Sequence, residues 1–109
     1  MDDNKFDLII TIVNKGYSSD VINAAKSARA EGGTVISGRG SGIHEVAKLF
    51  GFLMEPEKEI VLTLVDARKT EEILNAISDK VGIDKPGKGI AFVIDVKKTV
   101  GLSSYLNNN

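Results

Sequence analysis

Two stretches of the chain nearly repeat one another. Leu8-Ile9-Ile10-Thr11-Ile12-Val13 matches Ile60-Val61-Leu62-Thr63-Leu64-Val65, apolar and largely β-branched, with threonine at the same place. Short runs of this kind are strands, and the first, Phe6 to Val13, ends at a turn sequence, Asn14-Lys15-Gly16. The residues after each copy narrow the fold further. After the first, Ser18, Ser19 and Asp20 offer N-caps, and Val21, Ile22, Ala25 and Ala28 recur at helical spacing until Gly32-Gly33. The expected helix runs from about Ser19 to Glu31, and a second strand covers Thr34 to Ser37. The second copy lies within a third strand, Glu59 to Val65. Ile73, Leu74, Ile77 and Val81 then line one helix face, with Thr70 or Asp66 as cap and Gly82 as stop, and Ile90 to Val96 forms a fourth strand. A strand-helix-strand unit made twice gives the βαββαβ, ferredoxin-like α+β fold: a four-stranded antiparallel sheet with two helices on one face. Strands one and three are apolar on both parities, so the other face needs cover too. Self-association is the simplest cover; the alternative is that the helices and a long loop bury everything.

Composition limits what such a domain can do. At 109 residues the chain has room for one domain, with a core over about residues 6–97 and a polar tail over 98–109. Fourteen basic and 15 acidic residues give a net charge of −1, so no long-range field recruits nucleic acid or an anionic membrane. There is no cysteine and a single histidine, His44, which excludes thiolate and histidine-rich metal sites and leaves oxygen-ligated magnesium. The start, Met1-Asp2-Asp3-Asn4-Lys5, is acidic where a signal peptide is basic, and no apolar run nears the roughly 18 residues that span a bilayer. A cytoplasmic protein without membrane insertion is expected.

Two glycine-rich turns carry the functional signal: Gly38-Arg39-Gly40-Ser41-Gly42 and Lys85-Pro86-Gly87-Lys88-Gly89. Alternating glycines let successive backbone N–H groups face an anion with no side chain in the way. Arg39, Lys58, Lys85 and Lys88 are the cations placed to supplement them. The plain alternative is a pair of turns that need positive φ, flanked by solvated charge. Neither turn spells a known nucleotide fingerprint. Between strands two and three, Ile43, Val46, Ala47 and Phe50 have helical spacing, which predicts an amphipathic turn with His44, Glu45 and Lys48 opposite. Leu49, Phe52, Leu53 and Met54 add apolar mass that packs on a neighbouring subunit or forms a docking patch. His44, Phe50, Phe52 and Met54 are therefore the candidate partner-binding residues. Glu45, Glu55 and Glu57 have no nucleophile to serve, so no catalytic residue is assigned.

The order of elements, Gly33-Thr34-Val35, Arg39-Gly40-Ser41-Gly42 and Lys85-Pro86-Gly87-Lys88-Gly89-Ile90-Ala91-Phe92-Val93 resemble the nitrogen regulatory protein PII family. The resemblance covers about Phe6 to Val96. It implies a homotrimeric signalling protein, not an enzyme, that binds an adenine nucleotide between subunits and regulates a protein target. By the same resemblance Ile12 and Thr34 line the base pocket, Gly40 and Gly42 meet phosphate at the base of the first loop, and Gly87 and Gly89 wrap it from the second. The chain also departs from the pattern. Lys88 and Ile90 replace the acid and the lysine of the family's Gly-Asp-Gly-Lys, and Lys97 and Lys98 stand where an arginine pair is usual. The loop after strand two, which typical members of the family have long and mobile for contacting partners, is shorter here and has no tyrosine. ATP, ADP and AMP, with or without magnesium, are the expected effectors, with a cyclic nucleotide or another anion left open. Two other classes share the fold: a small acyl-phosphatase-type enzyme with its anion site at Asn14 and Lys15, and a single-stranded RNA module stacking bases on Phe92.

Overall fold

Phe6–Asn14 forms β1, Ser18–Ser27 α1, Thr34–Arg39 β2, Glu57–Asp66 β5, Thr70–Val81 α2 and Ile90–Val96 β6. Two three-residue strands, β3 (Ala47–Leu49) and β4 (Phe52–Met54), lie between β2 and β5. The structure, a computed structural model, describes residues 5–40, 47–49, 52–54 and 56–102. β2, β5, β1 and β6 form one sheet in that order, each antiparallel to its neighbour. This is the ferredoxin-like arrangement, with the two near-repeats β1 and β5 paired at its centre. No helix among the described residues is long and apolar enough to cross a membrane.

Strand alternation sorts the side chains. Ile9, Thr11 and Val13 on β1 and Val61, Thr63 and Val65 on β5 point to one face, where Val21, Ala24, Ala25 and Ala28 of the α1 segment and Ile73 and Ile77 of α2 cover them. Burying each of the larger aliphatic side chains stabilises the domain by roughly 1.5–3 kcal/mol. The opposite face is also apolar and nothing among the described residues covers it. Register places Ile36, Ile60, Ile12 and Ile90 in one row, Thr34, Leu62, Ile10 and Phe92 in the next, then Leu64, Leu8 and Ile94. On the edge strands Ile36, Ile90, Phe92 and Ile94 remain 45%, 53%, 41% and 46% exposed.

Helix ends differ from the sequence reading for identifiable reasons. None of Ser18, Ser19 and Asp20 caps α1: Tyr17 is the N-cap residue and makes no side-chain cap. The acceptor comes from β5, where the Glu59 carboxylate takes the N–H groups of Gly16 and Ser18 at 2.9 and 3.0 Å. α1 stops at Ser27, before Glu31, because Arg29 enters the left-handed region (φ 73°) and closes the end with Arg29 N–H to Lys26 O and Ala30 N–H to Ala25 O. At α2 both cap candidates have other roles. Asp66 caps the preceding 3-10 turn, Ala67–Lys69, through the Arg68 N–H, and the Thr70 hydroxyl donates to Asp7 at 2.7 Å. Gly82 ends α2 in the left-handed conformation (φ 75°) as its type predicts.

The helical turn expected around Ile43 to Phe50 is not the structure of its second half. Ala47–Leu49 pairs antiparallel with Phe52–Met54. That pairing of two strands close in sequence overrides a helical pattern only two turns long. Ile43, His44, Val46 and Phe50 lie outside the described residues, as does Gly42; for Phe52 and Met54 only the strand they belong to is described.

Candidate functional site

Antiparallel register brings both glycine segments to the same end of the sheet. Gly38 of β2 stands opposite Lys58 of β5, and Lys58 opposite Asn14 of β1. The chain entering β6 arrives at that end too, because Ile90 pairs with Ile12. The glycine segments nevertheless occupy opposite edges. Three strand spacings of about 4.8 Å separate β2 from β6, so the two stand about 14 Å apart within one chain.

The two segments are built differently. Lys85-Pro86-Gly87-Lys88 is a hydrogen-bonded turn, with the Lys88 N–H donating to Lys85 O at 3.4 Å, proline second and Gly87 third at φ 79°. That is the residue pattern of a type II turn. A Cβ at Gly87 would meet nothing within 4 Å, so the turn is open on its outer side, and Lys85 and Lys88 are exposed beside it. Gly89 is closed in: a Cβ there would lie 2.6 Å from the Ile12 carbonyl oxygen. The first segment is less of a turn than its glycines predict. β2 runs on through Gly38 and Arg39, and the Gly40 N–H continues the ladder to Pro56 O at 3.2 Å. Gly38 and Gly40 therefore shape the neck of the segment between β2 and β5. Arg39 is exposed, opposite Glu57 in register.

Of the other residues singled out from sequence, Ile12 and Thr34 share the uncovered face, one strand apart from each other across β5. Lys58 is 8% exposed, and its ammonium donates to Asn14 Oδ1 at 2.6 Å. Asn14 in turn donates through Nδ2 to the Gly87 carbonyl at 3.3 Å. Asn14, which the sequence offered only as an anion site of the phosphatase alternative, and Glu59, which it did not single out for a site, complete this cluster. Their partners lie more than forty positions away in the chain. Lys15 joins the same cluster, its N–H donating to Glu57 O and its ammonium 3.4 Å from the Glu57 carboxylate.

Electrostatics follow from these contacts. The Ser18 hydroxyl first, then the Ser18 and Gly16 N–H groups, hold the Glu59 carboxyl below its ordinary pKa. At the far end of the sheet the Arg68 side chain brings Asp66 down to about 2. Glu59 occupies the donors of the β1–α1 turn, where the phosphatase reading needs an anion site, and Asn14 is committed to Lys58 and Gly87. The RNA reading is also poorly served, since the strand beside Phe92 presents Leu8, Ile10 and Ile12 where stacking aromatics would be needed. Among the described residues no three His, Asp or Glu side chains stand close enough to hold a metal ion. A shallow depression of about 140 Å³ lies at the other end of the sheet, bordered by Phe6, Arg29, Glu31, Leu64 and Lys69. It touches none of the candidate residues.

These features define a small ferredoxin-like α+β domain whose candidate site is made of turns and backbone at one end of the sheet. The family model for nitrogen regulatory protein P-II matches residues 6–104, so the chain belongs to the P-II family, whose members are regulatory signalling proteins. Among solved structures it is similar to Bacillus subtilis GlnK in complex with ATP, at 12% identity and TM-score 0.70 over 92% of this chain and 89% of that one. Arabidopsis thaliana PII bound to citrate gives 24% identity and TM-score 0.62 over 86% and 77%. A Bacillus cereus protein related to NIF3 gives 14% identity and TM-score 0.68 over 87% of this chain, which spans 26% of that protein's length. At these identities the likeness is one of fold. No curated protein matches the chain.

Proposed function

We propose that this P-II protein works in the cytoplasm as a homotrimer that binds ATP, ADP or AMP between subunits and relays the bound state to a protein target through the segment between β2 and β5. One observation carries the reading: the two glycine segments share an end of the sheet but sit on opposite edges, flanking an apolar face that none of the described residues covers. About 14 Å apart, they do not form one phosphate nest within a protomer. The β2 edge of one copy beside the β6 edge of another would bring them together, and the same association buries Ile36, Phe92 and Ile94. In that cleft Ile12 and Thr34 would border the base. Arg39, Gly40, Gly42, Lys85, Gly87, Lys88 and Gly89 would surround the phosphates, with Lys58 beneath them. His44, Phe50, Phe52 and Met54 would meet the partner. Open space beside Gly87 and the exposure of both turn lysines fit an anion there. The relatives bound to ATP and to citrate are consistent with an anionic effector.

Calorimetric titration with ATP, ADP and AMP, with and without magnesium, tests the reading. Saturable binding at one site per chain is expected, abolished by Gly87→Trp and weakened at least tenfold by Lys88→Glu, the loss of about one charge-assisted contact. No heat with any nucleotide would refute it.

A further inference from the structure

Asn14 stands at the end of β1 between two elements that the site needs to keep in step, and its amide makes two contacts of opposite sense. Oδ1 accepts from Lys58 Nζ and Nδ2 donates to the Gly87 carbonyl. The partners dictate that orientation, because an ammonium only donates and a carbonyl only accepts. A carboxylate would turn an oxygen on the Gly87 carbonyl, and an aliphatic side chain would meet neither partner. Lys58 lies in register with Gly38, two residues before Gly40, whose N–H closes the neck onto Pro56. On the other side of the neck the Lys15 N–H, next to Asn14 in the chain, donates to Glu57 O. Two hydrogen bonds thus connect the open turn to Lys58 of β5, one of the two strands of the neck, which is paired in register with Gly38 of the other.

We propose that Asn14 is a positioning residue that couples the Lys85–Lys88 turn to the neck of the segment between β2 and β5. The proposal rests on the proposed function, in which the turn meets the effector and the segment meets the target. When the Gly87 carbonyl moves, the Asn14 amide follows it and pulls on Lys58 of β5, in register with Gly38, so the neck hydrogen bonds at Gly40 and Lys15 open more often. Asparagine serves here because it presents a donor and an acceptor on one short, rigid group.

Amide exchange measured by NMR on the full chain, without nucleotide, tests the coupling. Gly87→Val disturbs the turn directly, since a β-branched residue does not settle at φ 79°. In the native background it should accelerate exchange at the Gly40 and Lys15 N–H groups by about fivefold or more, the scale of coupling within one hydrogen-bond network. Asn14→Asp keeps an acceptor for Lys58 and removes the donor to Gly87. In that background the same turn mutation should change those rates by less than about twofold. Asn14→Ala provides a second background if the aspartate variant fails to fold. Equal acceleration with and without Asn14, or none in the native background, would overturn the proposal. Since no nucleotide is added, a protein that binds none would refute the functional reading while this comparison still decides the coupling.

Discussion

Gly89 is the position where one added methyl should cost the fold most. An alanine Cβ there would lie 2.6 Å from the Ile12 carbonyl oxygen and 3.1 Å from a Val13 methyl, on a backbone held at φ 139°. The oxygen belongs to the central strand and cannot swing away like the end of a flexible side chain. Holding a non-glycine residue in that conformation costs about 1–3 kcal/mol. Forcing an extra methyl into a packed site costs about 1–3 kcal/mol more. A loss of about 3–4 kcal/mol is expected for Gly89→Ala, which for a domain of this size lowers the melting temperature by roughly 12 °C or more. Gly87→Ala is the matched control. Its φ of 79° is also left-handed, but the added Cβ meets nothing within 4 Å, so only the conformational cost of about 1–2 kcal/mol applies. Thermal melts followed by circular dichroism at one fixed protein concentration separate the two. If Gly89→Ala melts within about 3 °C of Gly87→Ala, the tight packing of the second segment on β1 is refuted.

Single contacts give further expectations. Arg29 occupies a left-handed position that favours glycine, so Arg29→Gly should raise stability by about 0.5–1 kcal/mol in urea denaturation, a net of relieved strain and lost backbone restriction. The Thr63 hydroxyl is fully buried and has no hydrogen-bond partner among the described residues, so the isosteric Thr63→Val should be stabilising by about 1 kcal/mol in the same assay. The Glu59 pKa is lowered in the fold, so its capping contribution is complete above the unfolded value of 4.5 and is lost as pH falls through the lower folded value. Exchange at the Gly16 and Ser18 amides should therefore rise in acid, normalised for intrinsic rates, and Glu59→Gln should remove that pH dependence.

Much of the fold was legible because its signals are local. The bounds of β6, the stop at Gly82 and the helix-facing residues of β1 and β5 all follow from strand alternation and residue type over a few positions. The apolar second parity of β1 and β5 announced the uncovered face. The hidden features depended on contacts remote in sequence. Glu59 caps a helix from another strand, and Asn14 gains its meaning only when Lys58 and Gly87 arrive beside it. Gly38 and Gly40 advertised a turn, but pairing with β5 drew them into the ladder and its neck. Helical spacing misled at Ala47, where the pairing of two strands close in sequence prevailed.

The central claim is that the site exists only between copies of the chain. Native mass spectrometry with ADP, on the unmodified protein and on Ile94→Glu, tests it most directly. Ile94 is 46% exposed on the uncovered face, so a charge there spares the monomer's fold while opposing burial in an assembly. The unmodified protein should appear at three times 11.7 kDa with up to three nucleotides bound. Ile94→Glu should appear as a folded monomer carrying none. A monomer that retains nucleotide, or a trimer that never takes it up, would contradict the claim.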